Sequence, residues 1–217
     1  MKNNEIYRDT QDWYLTKEGY ASPLLLDFAA QNAGKSILDL GCATGEYCLQ
    51  LEKKGFKCTG VDINPQFVEK AIKNGVNAFL ARGEDLEFAD NSFDTVLLFE
   101  VLEHVEKPQN ILKEAKRVAR KNVLITVPNC SQLSQLSQFS LTYEHLLERD
   151  HVNFFTKNDL ENLISPHFHK FKVKEGDEIK LGAAGLPLPL KAIILGLYKI
   201  RIIKSDLYYR LYAVAEV

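Results

Sequence analysis

The sequence predicts an α/β fold: a doubly wound, mostly parallel sheet of seven strands with helices on both faces. Three observations predict it. Short apolar runs alternate with stretches of helical period from residue 36 to residue 127, and near-continuous apolar strands belong to parallel sheets covered on both sides. Glycine, asparagine or proline stands at several of the junctions, as short connections require. The 217 residues are 46% hydrophobic and 26% charged, an ordinary globular composition able to bury a sizeable core within one domain, 1–217.

SILDLG (36–41) reads as the first buried strand, and EYCLQLEKK follows with Tyr47, Cys48 and Leu51 on one helical face. Gly55 suits the end of that helix. CTGVDI (58–63) is the next strand. Asn64 then caps a helix that starts at Pro65, where a missing N–H costs nothing. Phe67, Val68, Ala71 and Ile72 supply its buried face, and Gly75 closes it. The alternation continues through VNAFLA (76–81), FDTVLLF (93–99), a helix over 108–120 and NVLITV (122–127). Thr156 and Asp159 have the spacing of a capping box, and two last strands are FKVKEGDEI (171–179) and LYYRLYAVAEV (207–217). The core thus spans about 33–179 and 207–217, with an apolar insertion over about 180–206 before the last strand.

Composition narrows the function classes. A net charge of −2 gives no general attraction to nucleic acid, although a local patch holding an RNA end stays an alternative. Four cysteines without a CxxC pair imply reduced thiols in a cytoplasmic compartment, rather than a zinc site or a disulfide framework. The first residues, MKNNEIYRDTQDWY, lack the apolar centre of a secretion signal. Lys191 and Lys199 interrupt the most apolar stretch before it reaches membrane-spanning length.

In such a sheet, ligands bind beyond the carboxyl ends of the strands, at the switch in strand order. DLGCATG (39–45) lies there, between a strand and a helix. Gly41 and Gly45 allow a tight turn and a close approach of backbone to ligand; a βα turn without ligand is the competing reading. Asp62 ends the next strand, where an acid can accept ribose hydroxyl protons from an adenosine cofactor. A dinucleotide site places a pyrophosphate on the helix N-terminus, and Glu46 would repel it. S-adenosylmethionine, which has no phosphate and carries an ammonium and a sulfonium, suits an acidic loop, with Asp39 as partner for its amino group.

SILDLGCATGEYCLQL, CTGVDINPQFVEKA, ARGEDLEFADNSFDTVLLFEVLEHVEKP and NVLITVPN together resemble the class I S-adenosylmethionine-dependent methyltransferases. The likeness is to the broad group that includes the ubiquinone-biosynthesis O-methyltransferases, and it covers roughly residues 33–165. The resemblance implies that Asp39, Gly41 and Gly45 line the methionine moiety and that Asp62 and Ile63 hold ribose and adenine. It implies that Gly83 and Glu84 flank the adenine and that Phe99 lies beneath the sulfonium. Ala43 departs from the group's middle glycine, a change tolerated at negative φ. Arg82 stands where many members have an adenine-binding aspartate, a contact that Glu84 could supply instead.

FEVLEHVEKP (99–108) follows the fourth strand on the substrate side. As a helical turn it would place Glu100, Glu103 and His104 on one face. Three readings stay open: simple packing, His104 as general base, or a magnesium or manganese site made by these residues. The resemblance supports the metal, and His151 in RDHVNFFT falls where one related family has a further histidine ligand. Tyr143, His145 and Glu148 nearby could recognise substrate or only decorate a solvated helix.

The expected reaction is methyl transfer to an oxygen of a small-molecule or lipid-linked acceptor. An RNA-terminal 2′-O-methyltransferase and a cofactor-binding regulator without turnover are the alternatives. Residues 180–204 hold five basic residues and no acidic one. They read as a core element, as a platform for lipid with peripheral membrane contact, or as an interface to a second copy in a homodimer. From Tyr198 to Ile202 the alternation looks strand-like.

Overall fold

A computed structural model of the chain describes residues 20–131, 150–179, 187–204 and 207–217. Tyr143, His145 and Glu148 lie outside the described residues, as does the start of the insertion. In chain order the elements are α1 (Pro23–Asn32), β1 (Ser36–Leu40), α2 (Glu46–Lys53), β2 (Lys57–Asp62), α3 (Pro65–Lys73), β3 (Ala78–Leu80) and β4 (Phe93–Phe99). A 3₁₀ turn (Leu102–His104) leads to α4 (Pro108–Val118) and β5 (Ala119–Pro128). Then come α5 (Lys157–Ile164), β6 (Lys170–Glu178), α6 (Leu188–Lys199) and β7 (Tyr208–Glu216).

The seven strands form one sheet in the order β3-β2-β1-β4-β5-β7-β6. β1 to β5 run parallel, and β7 enters antiparallel between β5 and β6. The expected architecture is therefore present, and the strand order reverses between β1 and β4.

Strand side chains divide alternately between two cores, which is why the strands read as continuous apolar runs. Ile37, Leu97, Phe99 and Leu124 join Leu25, Cys48, Leu51, Val68 and Ala71 beneath α1, α2 and α3. Leu38, Leu40, Val96, Leu98, Val123 and Ile125 join Ile111, Leu112, Ala115, Leu160 and Ile164 beneath α4 and α5. The two acidic or capped helix starts behave as their sequences imply. The Asn64 side chain accepts from the Gln66 N–H above Pro65, and Thr156 and Asp159 form a reciprocal capping box.

Several boundaries differ from the expectation. β3 begins two residues later than expected because Val76 belongs to the end of α3: its N–H donates to the Ala71 carbonyl after Gly75 turns at φ +93°. Ile72 is 54% exposed, since Val68 and Ala71 already occupy the inward face of α3. α4 stops at Val118, and Ala119 swings to an extended ψ of 140° that starts β5. The stretch around Tyr198–Ile202 is a helix end rather than a strand. Ile200 and Arg201 donate to the carbonyls of Gly196 and Tyr198, and Arg201 adopts φ +59°. All four cysteines are buried free thiols. No helix among the described residues is long and apolar enough to cross a membrane.

A candidate active site at the switch point

The loops beyond β1, β2 and β4 enclose a cleft of about 1450 Å³ at the switch in strand order. Its first wall is the glycine loop. The N–H groups of Gly41 and Cys42 both donate to the Val61 carbonyl, at 2.8 and 3.0 Å, folding the loop over the end of β2. Gly41 takes φ +87°, and a Cβ there would lie 2.6 Å from a Val101 methyl. Gly45 takes φ +82° and faces Val76 and Ala71 rather than the cleft. Its part is to let α2 approach α3, a packing role one step behind the ligand wall. Ala43 adopts φ +45°, against the expectation of a negative angle. A left-handed conformation costs a non-glycine residue about 1–2 kcal/mol. What holds it is its N–H, which donates to Asp62 Oδ2 at 2.9 Å.

Asp39 and Asp62 carry the electrostatics of this wall. Asp39 is 2% exposed. Burial first, and the neighbouring Asp62 charge second, push its pKa up to about 7 against a weaker opposing bond from the Cys48 thiol. Burial also raises Asp62, opposed by bonds from backbone N–H groups. Two of these reach opposite carboxylate oxygens: Ala43 donates to Oδ2 and Asn64 to Oδ1. Each oxygen has a second lone pair to offer a ligand hydroxyl. Two acids held in a buried loop favour a cationic, hydroxyl-bearing ligand, and the residues fit S-adenosylmethionine on that ground.

The other expected cofactor residues divide. Ile63 is exposed on the cleft wall, and Phe99 lines the cleft with its ring edge-on to Tyr47 at 5.5 Å. Glu84 lines it too, but Arg82 Nε and Nη2 bind its Oε1 at 2.8 and 2.5 Å. The pair meets the cleft as a zwitterion, and Arg82 holds the Glu84 carboxyl below its ordinary range. Gly83 does not line the cleft. A Cβ on it would meet Ile111 at 2.8 Å, so its role is to let the loop close on α4.

The far wall overturns the expected helical turn. Glu100 sits at φ +55°, before the 3₁₀ turn begins. Its Oε1 accepts from Arg210 Nε at 3.0 Å. Glu100 therefore leaves the group it was expected to share with Glu103 and His104. His151 takes its place: ligand atoms of Glu103, His104 and His151 all lie within 4.8 Å of one another. The two imidazoles meet edge to face at 4.6 Å. Glu103 is 1% exposed. His104 Nδ1 lies 3.2 Å from the Asp150 carbonyl. A carbonyl only accepts, so this contact places a proton on Nδ1 and the neutral ring's lone pair on Nε2.

Three contributors were not singled out in the sequence. Asn153 clamps the His151 segment to the turn: its Nδ2 donates to the carbonyls of Leu102 and Val105 at 3.0 and 2.6 Å. The N–H groups of Val152 and Asn153 both donate to the Glu103 carbonyl. Asp150 orients His104. Arg210, largely buried on β7, binds both Glu100 and Asp177, and Asp177 also accepts from the Tyr212 hydroxyl at 2.7 Å. The one sequence signal for Arg210 was a charged residue within the otherwise apolar and aromatic run 207–215.

Compared with known proteins, residues 14–165 match the methyltransferase-domain family. The chain is 37% identical over 90 residues to an uncharacterized protein of Methanocaldococcus jannaschii, covering 42% of each. It is 30% identical over 110 residues to the ubiquinone biosynthesis O-methyltransferase of Erwinia tasmaniensis, covering 46% of this chain and 45% of that one. These matches thus span less than half the length of each curated relative. Among solved structures, a SAM-dependent methyltransferase from Archaeoglobus fulgidus superposes with a TM-score of 0.66 at 18% identity, covering 89% of this chain and 93% of that one.

Proposed function

The chain belongs to the methyltransferase-domain family, within the class I S-adenosylmethionine-dependent methyltransferases, and from that premise we propose that it methylates an oxygen of a small hydroxyl-bearing acceptor. The observation that carries the cofactor half is the pairing of Asp39 and Asp62 under the glycine loop. When bound, S-adenosylmethionine supplies an electrophilic methyl group on a sulfonium. Asp39 answers the amino group, and Asp62 accepts from the ribose hydroxyls while its amide partners keep it in place. Phe99 and Tyr47 give the cleft an aromatic wall that excludes water. The likeness to an O-methyltransferase supports oxygen as the acceptor atom. An acidic cleft does not favour a polyanionic acceptor such as RNA.

The acceptor half rests on Glu103, His104 and His151. One carboxylate and two imidazoles suit manganese or another first-row ion that accepts imidazole better than magnesium. The Asp150 carbonyl on His104 Nδ1 is the kind of outer bond that orients a metal-binding histidine. Such an ion would lower the pKa of a bound hydroxyl. The second reading keeps the same atoms without an ion: His104 Nε2 takes the hydroxyl proton directly.

Calorimetric titration with S-adenosylmethionine tests the cofactor assignment. Asp62→Ala removes charge-assisted bonds worth about 1.5–3 kcal/mol each, so affinity is expected to fall by about one to two orders of magnitude. The fold should persist, because water in the cleft can take over the Ala43 and Asn64 N–H groups. Unchanged binding by the variant would place the cofactor elsewhere.

A further inference from the structure

The insertion presents a helix that the other described residues leave largely uncovered. Along α6, only Tyr198 is buried, whereas Leu188, Leu190 and Ile193 are 83%, 52% and 63% exposed. Ile200 and Ile202, just past its end, are 64% and 69% exposed. A helix that is apolar on nearly every side is normally covered by something, and an exposed apolar patch of this kind marks an interaction surface.

The charges around the patch say what covers it. Residues 187–204 carry Lys191, Lys199, Arg201 and Lys204 and no acidic residue, in a chain whose net charge is −2. Two copies packed α6 against α6 would set these cations against each other, which disfavours a symmetric pair through this face. The 12 residues of α6 rise only about 18 Å, well short of a bilayer core of about 30 Å. A helix of this length with apolar side chains and flanking cations can lie in the interface, its lysine stems running along apolar surface and their ammonium groups reaching head groups. We infer that α6 and the turn after it form a docking surface for an anionic phospholipid bilayer, entered by Leu188, Ile193, Ile200 and Ile202.

The test is co-sedimentation of the full chain with vesicles of phosphatidylglycerol and phosphatidylcholine, compared with pure phosphatidylcholine. At low salt the chain is expected to bind the anionic vesicles at least about tenfold more tightly than the neutral ones, since each basic side chain near an anionic surface is worth about fivefold. Raising the salt should release it. Leu188→Asp/Ile193→Asp and, separately, Lys199→Glu/Arg201→Glu should each cut binding about tenfold or more. All four side chains are exposed, so both variants should keep the circular dichroism and the S-adenosylmethionine affinity of the parent. Absence of binding to anionic vesicles at low salt overturns the inference, as does equal binding by parent and both variants. A concentration-dependent dimer that Leu188→Asp/Ile193→Asp splits into monomers also overturns it, assigning the face to a second copy.

Discussion

Buried beside the cleft, Asp39 destabilises the fold that holds it. Its carboxyl titrates near pH 7 in the fold and near 3.8 unfolded, so between those values the folded state holds more protons. The stability it allows is complete below pH 4, declines as pH rises toward 7, and stays low above. Asp39→Asn removes that burden, and the cofactor-free variant is expected to gain about 2–4 kcal/mol at pH 8 and almost nothing at pH 4. Urea unfolding at both values checks it. The same variant should bind S-adenosylmethionine at least about tenfold more weakly at pH 8. For the parent, affinity should rise with pH up to about 7 and then level, because an ammonium pairs only with the ionised acid. A parent whose affinity is flat from pH 5 to 8 would remove Asp39 from the amino-group site. Both acids were legible in the sequence because each lies at or one residue before the end of a strand, beside a loop. The strain at Ala43 was not, because its positive φ follows from the bond to Asp62 rather than from its own side chain.

The EVLEH segment shows how much depends on the kind of turn a sequence forms. An α-helical period predicts Glu100, Glu103 and His104 together, whereas the observed 3₁₀ turn starts at Leu102 and leaves Glu100 outside. The cause is remote in sequence: the partner of Glu100 is Arg210, 110 residues away. No local pattern records that pairing. His151 joins the group because Asn153 bonds its segment to both ends of the turn. Asn153→Ala leaves two carbonyls short of a donor and is expected to cost about 1–3 kcal/mol in stability. If the cluster holds a cation, loosening it should weaken manganese binding by about 10–100-fold. Chelator followed by manganese titration of the methyl-transfer rate reads this, with cofactor affinity measured beside it. Full activity of the parent in chelator would leave His104 as general base without an ion.

Across the whole molecule, the proposed cofactor and acceptor halves of the cleft fall to the parallel strands and the antiparallel edge respectively. The proposed cofactor residues Asp39, Asp62, Glu84 and Phe99 lie on or shortly after β1 to β4, where alternating strands and helices made the topology legible. The proposed acceptor half leans on β7, which follows the insertion and sits between β5 and β6. There Arg210 ties the end of β4, through Glu100, to Asp177 at the end of β6. This cross-sheet clasp was not legible, because it joins three elements that are far apart in the chain. Arg210→Met leaves two partly buried carboxylates without their cation, a loss of about 3–5 kcal/mol by the behaviour of broken buried pairs. The urea midpoint should fall accordingly. Arg210→Lys, which keeps the charge but loses the planar fork, should fall between variant and parent. At a temperature where all three are folded, the KM for the acceptor should rise in both variants. The dissociation constant for S-adenosylmethionine should stay within about twofold, since β1 and β2 hold its residues independently of the clasp. If the cofactor constant moves as far as the acceptor KM, the two halves of the cleft are one coupled unit, and the division between parallel strands and antiparallel edge fails.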